Sequence, residues 1–257
     1  MRELAERAWF LLCLGLGRLL RAGKYSSVRI VSEHGELSAR KHRRFYAPLL
    51  ISAGGLLVKV LDTGVRILSQ RDWEERERLM YRTLFGSSIR VDTGGTLVLP
   101  YLAGAALATL LEDPALEESA RTRAIERAVV ALAEFHRQGF THGDAMAENV
   151  MVDLEAGVAH WFDFETVHDA KRPVAWSRAD DVRALLATCL LRTAPEQVTE
   201  TLYLILDAYQ DEEVTRLLAT SFSYVLRRSL AFHLGQAGLS LQYYREIPRL
   251  LRECECR

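Results

Sequence analysis

The chain has 257 residues, of which 49% are hydrophobic and 26% charged, with a formal net charge of -1. These values exclude a disordered, collagen-like or disulfide-stapled protein, and they leave no bulk positive charge to draw nucleic acid. Cys13, Cys189, Cys254 and Cys256 lack the spacing of a disulfide framework or a zinc site, so a reducing cytoplasm is the expected setting.

Residues 8–20 form an apolar run too short for the ~20 residues that span a bilayer. Glu3 and Glu6 precede it, which spoils a signal peptide, and Arg18, Arg21 and Lys24 follow it. Residues 1–25 are therefore expected to form an apolar helix. It either packs on the protein or lies peripherally on the inner face of a membrane.

Residues 27–32 alternate as a strand, 33–36 form a turn, and 45–51 with 56–61 predict two strands around a Ser-Ala-Gly-Gly turn. Residues 70–85 have helical periodicity, 96–99 form a short strand, and 100–104 break the pattern. Helices are expected over 105–111, 120–138, 181–191, 196–209, 212–233 and 243–252, with a loop-and-strand insert at 139–168. The class is α+β: a β-rich region, 26–101, with one main helix, and a mostly helical region, 102–257.

The informative stretch is the insert. His142, Gly143 and Asp144 lead to Asn149, then to the apolar Val150, Met151 and Val152, and a second short strand ends in Asp163, Phe164 and Glu165. Asn149 and Asp163 supply oxygen ligands of the kind Mg²⁺ takes alongside phosphate oxygens. Asp144 is left to orient an attacking hydroxyl and is the candidate catalytic residue.

This spacing resembles the H-R-D-x-x-x-x-N loop and D-F-G segment of the protein-kinase-like superfamily, in its small-molecule and glycan kinase variants. The resemblance covers about residues 26–195 and implies a two-lobed fold that uses ATP and Mg²⁺. It also implies a phosphate-binding lysine on an upstream strand and a glutamate from the next helix. The chain has only four lysines against 29 arginines. Lys59 lies in an apolar run, where an unpaired charge is costly, and is the expected lysine. Glu77 shares a helical face with Trp73, Met80 and Leu84 and is its expected partner.

By the same resemblance, Tyr101 and Leu102 lie at the hinge that meets adenine. His142 and Asp181 support the catalytic loop, Asp181 through loop amides, while Asp180 reads as a helix N-cap; N-cap roles for both are the alternative. The 176–185 pattern is most similar to lipopolysaccharide core (Kdo and heptose) kinases.

Three departures stand out. No G-x-G-x-x-G is present, so the phosphate-covering hairpin falls to residues 32–39. Glu165 replaces the glycine of D-F-G. Few residues separate Glu165 from Asp181, which favours a small-molecule or glycan acceptor held by Trp176, Lys171 and Arg172. The function expected is an ATP/Mg²⁺-dependent phosphotransferase acting on a hydroxyl. The alternatives are a short atypical protein serine/threonine kinase and a non-catalytic pseudokinase scaffold.

Overall fold

A computed structural model of the protein describes residues 26–33, 35–60, 62–92, 94–228 and 246–251, together with Leu11. The apolar helix expected within residues 1–25 lies outside the described residues. Among the described residues no helix is long and apolar enough to cross a membrane. The described residues mix α-helices with three small antiparallel sheets.

The first sheet is built from β1 (Ser26–Glu33), β2 (Glu36–Arg43), β4 (Arg90–Asp92) and β5 (Thr96–Pro100), in the order β1-β2-β5-β4, while β3 (Val65–Ile67) lies apart. β1 and β2 form a hairpin in which Val28 faces Lys41 and Ile30 faces Ala39. β2 then pairs with β5, setting Ala39 opposite Leu99 and Lys41 opposite Leu97. Directly opposed residues share a sheet face, so Val28, Ile30, Ala39, Lys41, Leu97 and Leu99 lie on one side.

The segment read as two strands is a single helix, α1 (Ala47–Val60). Its Ser-Ala-Gly-Gly stretch is continuous helix, and Lys59 is exposed in its last turn. An apolar run of this length fits either period, and the glycine pair reads as a turn only when no helix spans it.

α2 (Gln70–Phe85) has the range its periodicity predicts. Ser69 caps it by accepting from the Asp72 N–H at 3.3 Å, and Gly86 ends it in the left-handed region at φ 62. Trp73, Glu77, Met80 and Tyr81 form its buried face.

The helical part comprises α3 (Leu107–Glu112), α4 (Glu118–Arg137), α5 (Val174–Leu190), α6 (Val198–Tyr209) and α7 (Glu212–Arg228). α5 buries 13 of its 17 residues, so it is the central helix rather than a surface one. It begins at Val174, not near residue 181. Asp180 and Asp181 are therefore interior helical residues, and Pro173 holds the N-cap position.

β6 (Ala105–Ala106), β7 (Val150–Asp153) and β8 (Val158–Trp161) make a second sheet, and β3 pairs with β9 (Thr166–His168) to make a third. Gly104 enters β6 at φ 94, where an added Cβ would lie 2.2 Å from the Val152 carbonyl oxygen. Only glycine permits that approach.

Candidate active site

The lysine that pairs with Glu77 is a correction to the sequence reading. Lys59 does not meet Glu77; Lys41 does. β2 carries Lys41 into the interior, where its Nζ lies 2.8 Å from Glu77 Oε1. It also bonds Asp163 Oδ1 and lies 3.2 Å from Glu165 Oε1. Glu77, fully buried on α2, accepts a further hydrogen bond from the Trp73 indole N–H at 3.0 Å. Lys41 Nζ stands 5.1 Å from the Trp73 ring centroid.

Burial alone would lower the Lys41 pKa, but the Asp163, Glu77 and Glu165 carboxylates around it hold it well above the ordinary lysine value. β2 is rich in polar residues and lacks the apolar look of a buried strand. The signal that finds Lys41 is the period-2 set Leu37, Ala39, Lys41, Arg43, which places two cations on one strand face.

The loop after α4 is anchored from below by Asp181. Its Oδ2 accepts the His142 N–H at 2.7 Å and its Oδ1 accepts the Gly143 N–H at 2.8 Å. Asp181 Oδ2 lies 3.0 Å from His136 Nε2, and His136 Nδ1 meets the Tyr209 hydroxyl at 2.5 Å. His168 stands 3.5 Å from Asp180 and 3.8 Å from Asp181. Although burial would raise the Asp181 carboxyl, His168 and His136 hold it below the usual range.

His142 is fully buried. Its Nε2–H donates to the Phe162 carbonyl at 2.9 Å and its Nδ1 accepts the Asp144 N–H at 3.3 Å. Burial pushes its pKa down to about 4, so it is a neutral strut and not a proton carrier. Gly143 adopts φ 82, and an added Cβ would lie 3.2 Å from the Val167 backbone, so a side chain there would be strained and crowded. Phe164 is buried with its ring stacked 5.8 Å from Phe135 of α4.

Asp144 and Asn149 face each other across the loop. Asn149 Nδ2 donates to the Asp144 carbonyl at 2.8 Å and to its Oδ2 at 3.1 Å. The Phe162 N–H donates to the Asn149 carbonyl at 3.0 Å, which brings the β8 end and Asp163 beside the loop. Asp163 lies at φ 67, in the left-handed region unusual for a side-chain-bearing residue. Burial, and then the charge of Asp163, push the Asp144 carboxyl up to about 8.

The Glu77, Asp163 and Glu165 carboxyls pair with Lys41 and Arg43, Arg76 lies within electrostatic reach of Glu77, and Asp144 sits beside Asp163. Among the described residues no group of three or more His, Cys, Asp and Glu side chains is arranged to hold a metal by itself. An Asn149–Asp163 pair fits Mg²⁺ instead, since that ion keeps waters and phosphate oxygens in its shell.

Tyr101 and Leu102 follow β5 outside regular secondary structure, with Tyr101 41% exposed. On the face that carries Lys41, Val28 and Ile30 are 55% and 53% exposed despite being apolar. Trp176 is not open to an acceptor. It is packed under the Arg172 guanidinium at 4.7 Å and against the Tyr224 ring at 5.8 Å.

No family model and no curated protein matches the sequence. Among solved structures the chain is similar to the crystal structure of Rad53 1-466 in complex with AMP-PNP, at 16% identity and a TM-score of 0.35. The match covers 89% of this chain and 57% of that one.

Proposed function

We propose that the protein is an ATP- and Mg²⁺-dependent phosphotransferase, with a two-lobed kinase-like arrangement, that acts on a hydroxyl of a small molecule or glycan. The observation that carries this reading is the single cluster formed by Lys41 of β2, Glu77 of α2, Asp144 and Asn149 of one loop, and Asp163 after β8.

Lys41, oriented by Glu77, binds phosphate oxygens of the nucleotide. Adenine packs on the apolar face made by Val28, Ile30, Ala39 and Leu99, beside Tyr101 and Leu102. Asn149 and Asp163 hold Mg²⁺, which supplies charge neutralisation for the phosphates. Asp144 orients the acceptor hydroxyl and accepts its proton as the acceptor oxygen bonds to the γ-phosphorus and ADP leaves with the bridging oxygen. Catalysis of this kind is positioning plus electrostatics.

The acceptor reading draws on chain length. Between Glu165 and α5 the protein has β9 and a five-residue link, 169–173, which offers little platform for an extended peptide. The kinship with lipopolysaccharide core kinases belongs to the same proposal.

Calorimetry with Mg·AMP-PNP tests the nucleotide site: the wild type binds and Lys41→Met does not. Equal binding by both proteins would refute the assignment.

A further inference from the structure

Lys41 carries three carboxylates, although one orienting acid suffices to aim an ammonium. The third, Glu165, is fixed by its backbone: its N–H donates to the Asp163 carbonyl at 2.9 Å, and its own carbonyl accepts the Leu68 N–H at 2.9 Å. The side chain is 12% exposed. Its Oε1 stands 3.2 Å from Lys41 Nζ yet makes no hydrogen bond, and its Oε2 is 4.0 Å from Arg43 Nη2.

Arg43 is the other half of the arrangement. It is buried two residues beyond Lys41 on the same strand face, stacked 4.4 Å over Trp73, and its Nη1 donates to the Leu68 carbonyl at 3.1 Å. Its Nε and Nη2 are buried and have no hydrogen-bond partner. Those two groups form the guanidinium edge that a carboxylate engages bidentately. A buried acid thus lies between two cations, aligned with neither, while one cation has an unused fork. Buried polar groups left unsatisfied in this way are uncommon and call for a partner.

We infer that Glu165 and Arg43 are a positioning pair that sets the access of a nucleotide's phosphates to Lys41. In the free protein Glu165 shields the ammonium. When phosphate oxygens take Lys41, the Glu165 carboxylate moves onto the Nε–Nη2 edge of Arg43. This rests on the phosphotransferase reading, because Lys41 must meet phosphate for the exchange to occur.

The test is metal-free ADP binding to the full chain, measured by calorimetry, for the wild type, Glu165→Gln, Arg43→Met, the double variant and Lys41→Met. Glu165→Gln should bind ADP about tenfold tighter and Arg43→Met about tenfold weaker, each the equivalent of roughly 1.4 kcal/mol. The double variant should match Glu165→Gln, because Arg43 matters only while Glu165 needs somewhere to go. A purely structural role for Glu165 would not tighten binding.

If Glu165→Gln leaves the affinity unchanged while Lys41→Met loses it, the pair is overturned and the nucleotide site stands. Equal weakening by Arg43→Met in both backgrounds overturns the pair too, since that is a plain charge effect. If Lys41→Met binds as tightly as the wild type, the functional reading falls and takes the pair with it. Should Arg43→Met fail to fold, Arg43→Lys keeps the charge, removes the fork, and should still weaken binding.

Discussion

Lys41 and Glu77, 36 positions apart, meet at 2.8 Å between β2 and α2, with both side chains almost fully buried. Removing one member of such a pair leaves an uncompensated interior charge, which costs about 3–5 kcal/mol. Lys41→Met should therefore lower the unfolding free energy by about that amount, and Glu77→Leu by less, because Asp163 and Glu165 still face Lys41. Lys41→Met with Glu77→Leu should lose less than the sum of the single changes, because apolar replacement of both partners removes the orphaned charge. Urea denaturation of the four proteins checks this, and additive losses would contradict it.

Lys59 sits exposed near the end of α1, away from Glu77. Lys59→Ala should leave Mg·AMP-PNP affinity and the melting temperature within error of the wild type, as surface changes usually shift stability by less than about 0.5 kcal/mol. Parallel calorimetry and thermal melts suffice to test it.

The contrast between these lysines shows what is legible in a sequence. Asp144, Asn149 and Asp163 stand out because a short loop and one hairpin bring them together, so spacing along the chain stands for spacing in space. The carboxylate beneath the loop, Asp181, opens on an aliphatic pattern that marks it as helix-borne, although α5 begins seven residues earlier. Lys41 depends on non-local pairing. β2 meets β5 across more than 50 residues, and in the polar stretch Glu36–Arg43 the alternation that ends in buried Lys41 and Arg43 is a faint signal. α1 is illegible for the opposite reason: its apolar residues satisfy a strand and a helix equally, and with Leu49 and Leu56 exposed no buried face marks the period. The fork left open on Arg43 has no sequence signature at all.

Asp181 accepts two loop N–H groups, one on each oxygen. Asp181→Asn turns one acceptor into a donor facing an N–H, so a hydrogen bond to a charged group, worth about 1.5–3 kcal/mol, is lost and replaced by a repulsion. The loop that carries Asp144 should loosen. We expect kcat to fall by about 10²-fold or more, a loss of positioning. The KM for ATP should change little, because Lys41 and the sheet are untouched. A comparable rise in KM with kcat intact would show that Asp181 serves nucleotide binding instead.

His168 gives the stability a pH dependence. Burial would lower its pKa, yet Asp181 and Asp180 hold it above the ordinary value; Arg183, which also faces Asp180, opposes them. A group raised in the folded state contributes fully below its unfolded pKa of about 6.5 and loses that contribution as pH rises through the folded value. The difference in unfolding free energy between wild type and His168→Gln should therefore be largest below about pH 6.5 and shrink above it. Urea melts from acid to alkaline pH test the sign, and a difference that grows with pH would contradict the assignment.

The most direct measurement follows ADP formation from Mg·ATP by ³¹P NMR, comparing the wild type with Asp144→Asn and measuring ADP affinity for both. Asp144 faces Asn149 beside Asp163, while Lys41 bonds Glu77 and Asp163. The wild type should turn over ATP, and Asp144→Asn should be slower by about 10²–10⁴-fold, the range for loss of a positioned base, with ADP affinity retained. Turnover by Asp144→Asn at the wild-type rate would remove Asp144 from the catalytic role.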